Sequence, residues 1–151
     1  LKDIINNKYG VAVEERLEIS NRKKLIDDIG YFKGIKEGNT KFIQTTIRSG
    51  QRVDYDGNVV ILGDINPGSE VTAKGNIIVL GVLRGVAHAG CDGNKNAIVA
   101  SFRLQPKQLR IADYIARCPD DDNVVSKWPE IARIKDNVVL IEPYLPKKQM
   151  I

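Results

Sequence analysis

Aliphatic residues return at every sixth position through the middle of this chain: Ile47, Val53, Val59, Ile65, Val71, Ile77 and Leu83, with the smaller Ala89 on the next beat. A second row of small residues keeps the same beat, through Gly57, Gly63, Ser69, Gly75, Gly81, Ala87 and Gly93. Neither the 3.6 period of a helix nor the 2 period of a flat strand produces such a pattern. A coil with sides six residues long does, each side supplying one inward aliphatic and one small corner residue.

Whole blocks repeat at three times that interval. Gly57-Asn58-Val59-Val60-Ile61-Leu62-Gly63 returns eighteen residues later as Gly75-Asn76-Ile77-Ile78-Val79-Leu80-Gly81. The preceding sides match as well, Ser49-Gly50-Gln51-Arg52-Val53 against Pro67-Gly68-Ser69-Glu70-Val71, and a third Gly-Asn pair stands at Gly93-Asn94. Three sides per coil define a triangular β-solenoid. The fold class expected is therefore all-β dominated, a β-solenoid with a capping helix, preceded by a short α/β remnant. An ordinary sandwich with glycine-rich turns does not require block matches of this depth.

At 151 residues the chain is long enough for a domain with a real core. No run approaches the ~20 apolar residues of a membrane span, and the opening Leu1-Lys2-Asp3 is neither a signal peptide nor an initiator, so the true N-terminus is expected to lie upstream. Cys91 and Cys118 lack metal-ligand spacing and have a single histidine to join them, so free thiols in a reducing cytosol, with no metal and no cofactor, are expected. The net charge of +4 sits on the solenoid: residues 41–118 carry 10 basic and 6 acidic side chains, residues 1–40 carry 8 and 7, and residues 119–151 carry 5 and 6. That excess is modest and few aromatics accompany it, which argues against nucleic acid as a partner.

Along the chain, residues 1–40 read as the remnant of another domain plus a linker: a helix Leu1 to Lys8, a strand Val11 to Ile19, a helix capped by Ser20 or Asn21, and a polar stretch from Lys33 to Thr40. The β-solenoid domain is expected over 41–145, with coils from Phe42 to Leu104 and a tail at 146–151. Pro106 is placed in the first turn of a helix carrying Leu109, Ile111, Ala112 and Ile115, covering the open end of the coil. Asp120-Asp121-Asp122 marks a solvated loop without the pattern of a calcium site. Ile131 to Lys135 and Val138 to Ile141, joined by Asp136-Asn137, read as a closing hairpin.

Alternation along each side assigns the surfaces. With Val59, Ile61, Ile77 and Val79 pointing in, Val60, Leu62, Ile78 and Leu80 point out. Four outward aliphatics on two stacked rungs are expected either to form a two-fold dimer surface or to lie beneath the hairpin at Val138 to Ile141. On the neighbouring side Arg48, Asn66 and Arg84 share one position and are expected to stack about 4.8 Å per coil. Two guanidiniums flanking an amide suit carboxylates on a protein partner, the alternative being a merely solvated basic face.

Ile47-Arg48-Ser49-Gly50-Gln51, then Gly63-Asp64-Ile65-Asn66-Pro67-Gly68-Ser69-Glu70-Val71, Gly75-Asn76-Ile77 and Leu83-Arg84-Gly85-Val86-Ala87-His88-Ala89-Gly90 resemble the C-terminal domain of the septum-site-determining MinC family. The similarity spans about Phe42 to Ile115, with the strand near Val139 also fitting; residues 1–40 resemble only the tail of that family's N-terminal domain and its linker. The resemblance implies a right-handed β-helix that forms a homodimer and binds the membrane-associated ATPase MinD. It also implies a role in blocking assembly of the tubulin-like FtsZ, in the cytoplasm and at the membrane only through MinD. It assigns MinD binding to Arg48, Ser49, Gly50 and Gln51; the stacking described above makes Asn66 and Arg84 further candidate contacts, and the alternation makes Val60, Leu62, Ile78 and Leu80 the expected dimer face. In the loop after Gly90, where many relatives carry alanine and then an acidic residue, this chain has Cys91 and Asn94.

Two other readings compete. A hexapeptide-repeat acyltransferase shares the six-residue beat and would use His88 as its base, but that family runs through more coils, and no Ser-His-Asp, paired-carboxylate or phosphate-loop constellation is present. A solenoid stacking end to end like the bactofilins is opposed by the cap expected after Pro106. The expectation carried forward is a non-enzymatic binding module.

Overall fold

The computed structural model describes residues 38–116 and 127–144. The helix and strand expected within residues 1–37, and the acidic loop at Asp120, lie outside the described residues. The chain divides into two compact units, Leu1–Lys36 and Glu37–Ile151.

Eleven strands form among the described residues: β1 (Thr40–Ile43), β2 (Arg52–Tyr55), β3 (Asn58–Ile61), β4 (Glu70–Ala73), β5 (Ile77–Leu83), β6 (Val86–Ala89), β7 (Val99–Leu104), β8 (Gln108–Ile111), β9 (Tyr114–Ala116), β10 (Glu130–Lys135) and β11 (Val138–Pro143). They build a sheet β1-β3-β5-β7-β10-β11 and a sheet β2-β4-β6-β8-β9. Strands adjacent in a sheet are two apart in the chain and parallel through the coils, as a solenoid requires. The third side is narrow, held by the parallel bridges Ile47 to Ile65 and Ile65 to Leu83.

Between the first coils the register is eighteen residues on every side: Val59 lies beside Ile77, Val53 beside Val71, and Ile47 beside Ile65. The inward positions Val59, Ile61, Ile65, Val71, Ile77, Val79 and Leu83 are fully buried, and they stack from coil to coil as the core. At about 25 cal/mol per Å² of apolar area removed from water, such columns are the main source of stability. Corner side chains bind the next coil. Asn58 Oδ1 accepts the Asn76 N–H at 2.8 Å, Asn76 Oδ1 accepts the Ile98 N–H at 2.8 Å, and Asp64 Oδ1 accepts the Val82 N–H at 2.8 Å. These bonds satisfy backbone donors where the chain bends and the ladder is interrupted.

The beat breaks after Leu83. Val71 pairs with Ala87, an offset of sixteen, because Arg84-Gly85 replaces the four-residue corner of the coils above. Ala87, expected at a corner, is therefore a buried core residue beneath Val71, and Ala89 stands where Ala73 does one coil earlier. The next coil regains length. Ile77 pairs with Val99, an offset of twenty-two, with the surplus in the loop after Gly90. Gly93-Asn94 lies in that loop, and Ile98 takes the position below Asn76, so the third Gly-Asn pair is not a third copy of the corner.

Among the described residues no helix follows Pro106. Leu109 and Ile111 are buried while Gln108 and Arg110 face outward, a period of two that continues the coil as β8 in register with β6. The coils thus extend past Leu104. The end is closed by strands: β9 returns antiparallel along β8 through the Ala112-Asp113 turn, and β10 pairs antiparallel with β7. Tyr114, Ala116, Ile134 and Ile141 pack against the core. The closing hairpin forms as expected, with Asp136 and Asn137 at φ of 53° and 63°, the conformation of a two-residue type I′ turn. It extends the sheet edgewise from β7, so it does not cover Leu62 and Leu80, which remain 37% and 49% exposed.

Candidate partner-binding turn and apolar face

Arg48-Ser49-Gly50-Gln51 is a type II turn leading from the narrow side into β2. Gln51 N–H donates to the Arg48 carbonyl at 2.9 Å, and Gly50 sits at φ +87°, a conformation open to glycine at little cost. The Gln51 side chain turns back and accepts the Arg48 N–H through Oε1 at 2.7 Å, fixing the turn. One coil on, Asn66-Pro67-Gly68-Ser69 repeats the design with Gly68 at φ +84° and Ser69 Oγ donating to the Asn66 carbonyl at 2.6 Å. The turns stack through the Gly50 N–H, which donates to the Gly68 carbonyl at 2.9 Å. A Cβ built on Gly50 would meet nothing within 4 Å, so a partner has clear access to this backbone.

Arg48, Asn66 and Arg84 do share a position: Asn66 and Arg84 N–H groups donate to the Ile47 and Ile65 carbonyls at 2.8 and 2.7 Å. Gln105 follows, donating to the Leu83 carbonyl at 3.0 Å. The backbone positions of the two arginines are two strand steps apart, about 10 Å. Both are exposed, and among the described residues neither has an ion-pair partner, whereas nearby Arg52 is engaged by Glu70 at 3.1 Å. In the third coil the corner after Arg84 is two residues shorter than in the coils above. Gly85 packs directly under the Asn66-to-Ser69 turn, and a Cβ there would come within 2.6 and 2.7 Å of the Ser69 and Asn66 carbonyl oxygens. The sequence reading missed this shortened corner, whose signal is that Arg84-Gly85-Val86-Ala87 has two residues fewer between Leu83 and its next inward neighbour.

On the other broad side, Val60, Leu62, Ile78 and Leu80 all face outward. Phe42, Ala100 and Ile131 line up with Val60 and Ile78 through successive strand pairs, and Phe102 lies next to Ala100 on β7, so the apolar surface is larger than the four residues expected. His88 does not stand as a free base: its Nε2 lies 2.8 Å from the Ala112 carbonyl and so donates to it, holding the β8–β9 turn, where Ala112 has φ 52°. Burial, with Asp54 and Asp92 nearby, pushes the Cys91 thiol up, which keeps it protonated and weakly nucleophilic. Among the described residues no group of three or more His, Cys, Asp or Glu could hold a metal, and no helix is long and apolar enough to cross a membrane.

These features define a β-solenoid domain whose distinctive surfaces are a solvated pair of turns and an apolar sheet face. Residues 41–144 match the family described as septum formation inhibitor MinC, C-terminal domain. A probable septum site-determining protein MinC of Ruminiclostridium cellulolyticum is 60% identical over 128 residues, covering 84% of this chain and 56% of that protein. Its counterpart in Thermoanaerobacter sp. is 51% identical over 143 residues, covering 95% and 66%. Among solved structures, a chain of the MinC:MinD cell division protein complex of Aquifex aeolicus superposes with a TM-score of 0.68 at 36% identity, over 75% of this chain and 92% of that one. The chain belongs to the MinC family, a family of division regulators and not of enzymes. It spans about half the length of the curated relatives it matches.

Proposed function

We propose that this chain is the dimerising, MinD-binding part of a septum-site inhibitor, acting in the cytoplasm and brought to the inner face of the membrane by MinD. The observation that carries this reading is the fixed turn at Arg48 to Gln51, displayed on a fold shared at 36% identity with a chain of a complex described as MinC:MinD. Arg48 supplies a planar fork of donors, Ser49 adds a hydroxyl, and Gly50 leaves the backbone open, a set suited to carboxylates and carbonyls on a protein surface. Asn66 and Arg84 extend the contact along the same corner. The face of Val60, Leu62, Ile78 and Leu80 joins two copies, since a monomer rarely keeps so continuous an apolar surface in water. Inhibition of FtsZ assembly is part of the same reading, supported by the family's description as a septum formation inhibitor.

A pull-down with the chain as bait tests the reading. MinD is retained with ATP and FtsZ is retained from the same mixture; absence of MinD in the presence of ATP overturns it.

A further inference from the structure

The apolar face is not flat, and its relief is self-complementary. At one end Phe42 on β1 projects from the sheet, 65% exposed. At the other end lies a groove of about 350 Å³ lined by Ile78, Leu80, Ala100, Phe102, Ile131 and Tyr144. Its floor is low because Ala100 occupies the position that Phe42, Val60, Ile78 and Ile131 fill on the neighbouring strands. A cavity of ~150 Å³ already holds benzene, so the groove has room for a benzyl ring.

Knob and groove lie on the first and fourth strands of the order β1-β3-β5-β7. The midpoint between them falls between β3 and β5, among the four central aliphatics. A two-fold axis that lies between the two faces, parallel to the strands and above that point, brings β1 of each copy over β7 of the other, and β3 over β5. Both knobs then meet both grooves at once, while Val60 and Leu62 face Ile78 and Leu80 of the second copy. An axis above β5 would instead set Phe42 over bulky Ile131 and offer the groove only the smaller Val60.

From these features we infer that Phe42 of each protomer inserts into the Ala100 groove of a second copy of this chain, fixing the register of the dimer. The inference rests on the dimer reading above and adds its axis and anchor. The area suffices: with an aromatic side chain burying 150–250 Å², the exposed parts of Phe42, Leu62, Leu80, Phe102 and Tyr144 with their half-buried neighbours amount to on the order of 600 Å² per copy. Twice that clears the roughly 1,000 Å² of a specific interface.

A double-mutant cycle on the full chain tests it, using Phe42→Ala, Ala100→Phe and the combined variant, with dimer dissociation constants from sedimentation. Within one protomer the two positions are three strand spacings apart, about 14 Å, beyond the range at which substitutions couple. Any coupling therefore reports contact between copies. Each single change weakens the dimer at least ten-fold, one by removing the knob and the other by filling the groove. The combined variant recovers a substantial part, since the phenyl group has moved into the site left by the other. Thermal melts at concentrations where every variant is monomeric give melting temperatures close to wild type. Independent, additive effects on a protein that does dimerise overturn the insertion and leave the dimer reading in place, whereas a wild-type chain that is monomeric at micromolar concentration overturns both.

Discussion

Neighbouring residues on β3 should respond to the same substitution in opposite ways. Val59 is fully buried in the coil, whereas Val60 faces outward. In Val59→Asp the side chain loses about 1.5–3 kcal/mol of apolar burial. Its carboxyl, held neutral at pH 7 against an ordinary pKa near 3.9, costs about 4 kcal/mol more, and its unpaired polar atoms add about 1–3 kcal/mol. The total, on the order of 8 kcal/mol, is comparable to the whole stability of a domain this size. Val59→Asp should therefore abolish the cooperative far-UV urea transition at pH 7, while Val60→Asp keeps it. Burial raises the folded-state pKa of this aspartate above its unfolded value, so the folded state binds the proton more tightly. The penalty is then smallest below the unfolded pKa and grows as pH rises. The stability gap between Val59→Asp and Val59→Asn should accordingly narrow as pH falls from 7 to 4. Equal behaviour of Val59→Asp and Val60→Asp at pH 7 would show that the alternation is misassigned.

Two further changes probe the shortened corner and the apolar face. Gly85→Ala drives a methyl group against the Ser69 and Asn66 carbonyl oxygens, backbone atoms with no slack, and should cost about 1–3 kcal/mol in a urea titration; an unchanged midpoint would refute the tight packing of the third coil. Leu62→Asp combined with Leu80→Asp should yield a folded monomer in sedimentation, because charges are set at the centre of the joined faces, and persistence of the dimer would place the interface elsewhere.

The six-residue beat disclosed the coil, its core and its outward aliphatics because a solenoid repeats one local environment, so each inward position has a counterpart eighteen residues away. The Asp136-Asn137 hairpin was legible for a local reason, the tolerance of those residues for positive φ. Legibility failed where the repeat changed length. Ala89 keeps the beat by number, yet Ala87 is the residue stacked on Val71, because a glycine small enough to tuck beneath two carbonyls lets the corner shed two residues. Leu109, Ile111, Ala112 and Ile115 were read as a helix because Pro106 suits a first helical turn. What decided against it was pairing with β6, a long-range partner invisible to local periodicity. The turn at Arg48 was legible as a motif, but its rigidity, which depends on the Gln51 side chain accepting the Arg48 N–H, appears only in the fold.

Titration of ATP-bound MinD against the wild-type chain, Arg48→Ala and Gly50→Asp asks whether the exposed turn is the docking element. Both substitutions lie at the surface, where effects on stability are usually within ~0.5 kcal/mol for the side-chain loss and about 1–2 kcal/mol for a non-glycine residue at positive φ, so both variants should retain the wild-type far-UV spectrum. The wild-type chain should bind, and each variant should lose at least ten-fold in affinity while remaining folded. Wild-type affinity in both folded variants would contradict the assignment of MinD binding to this turn.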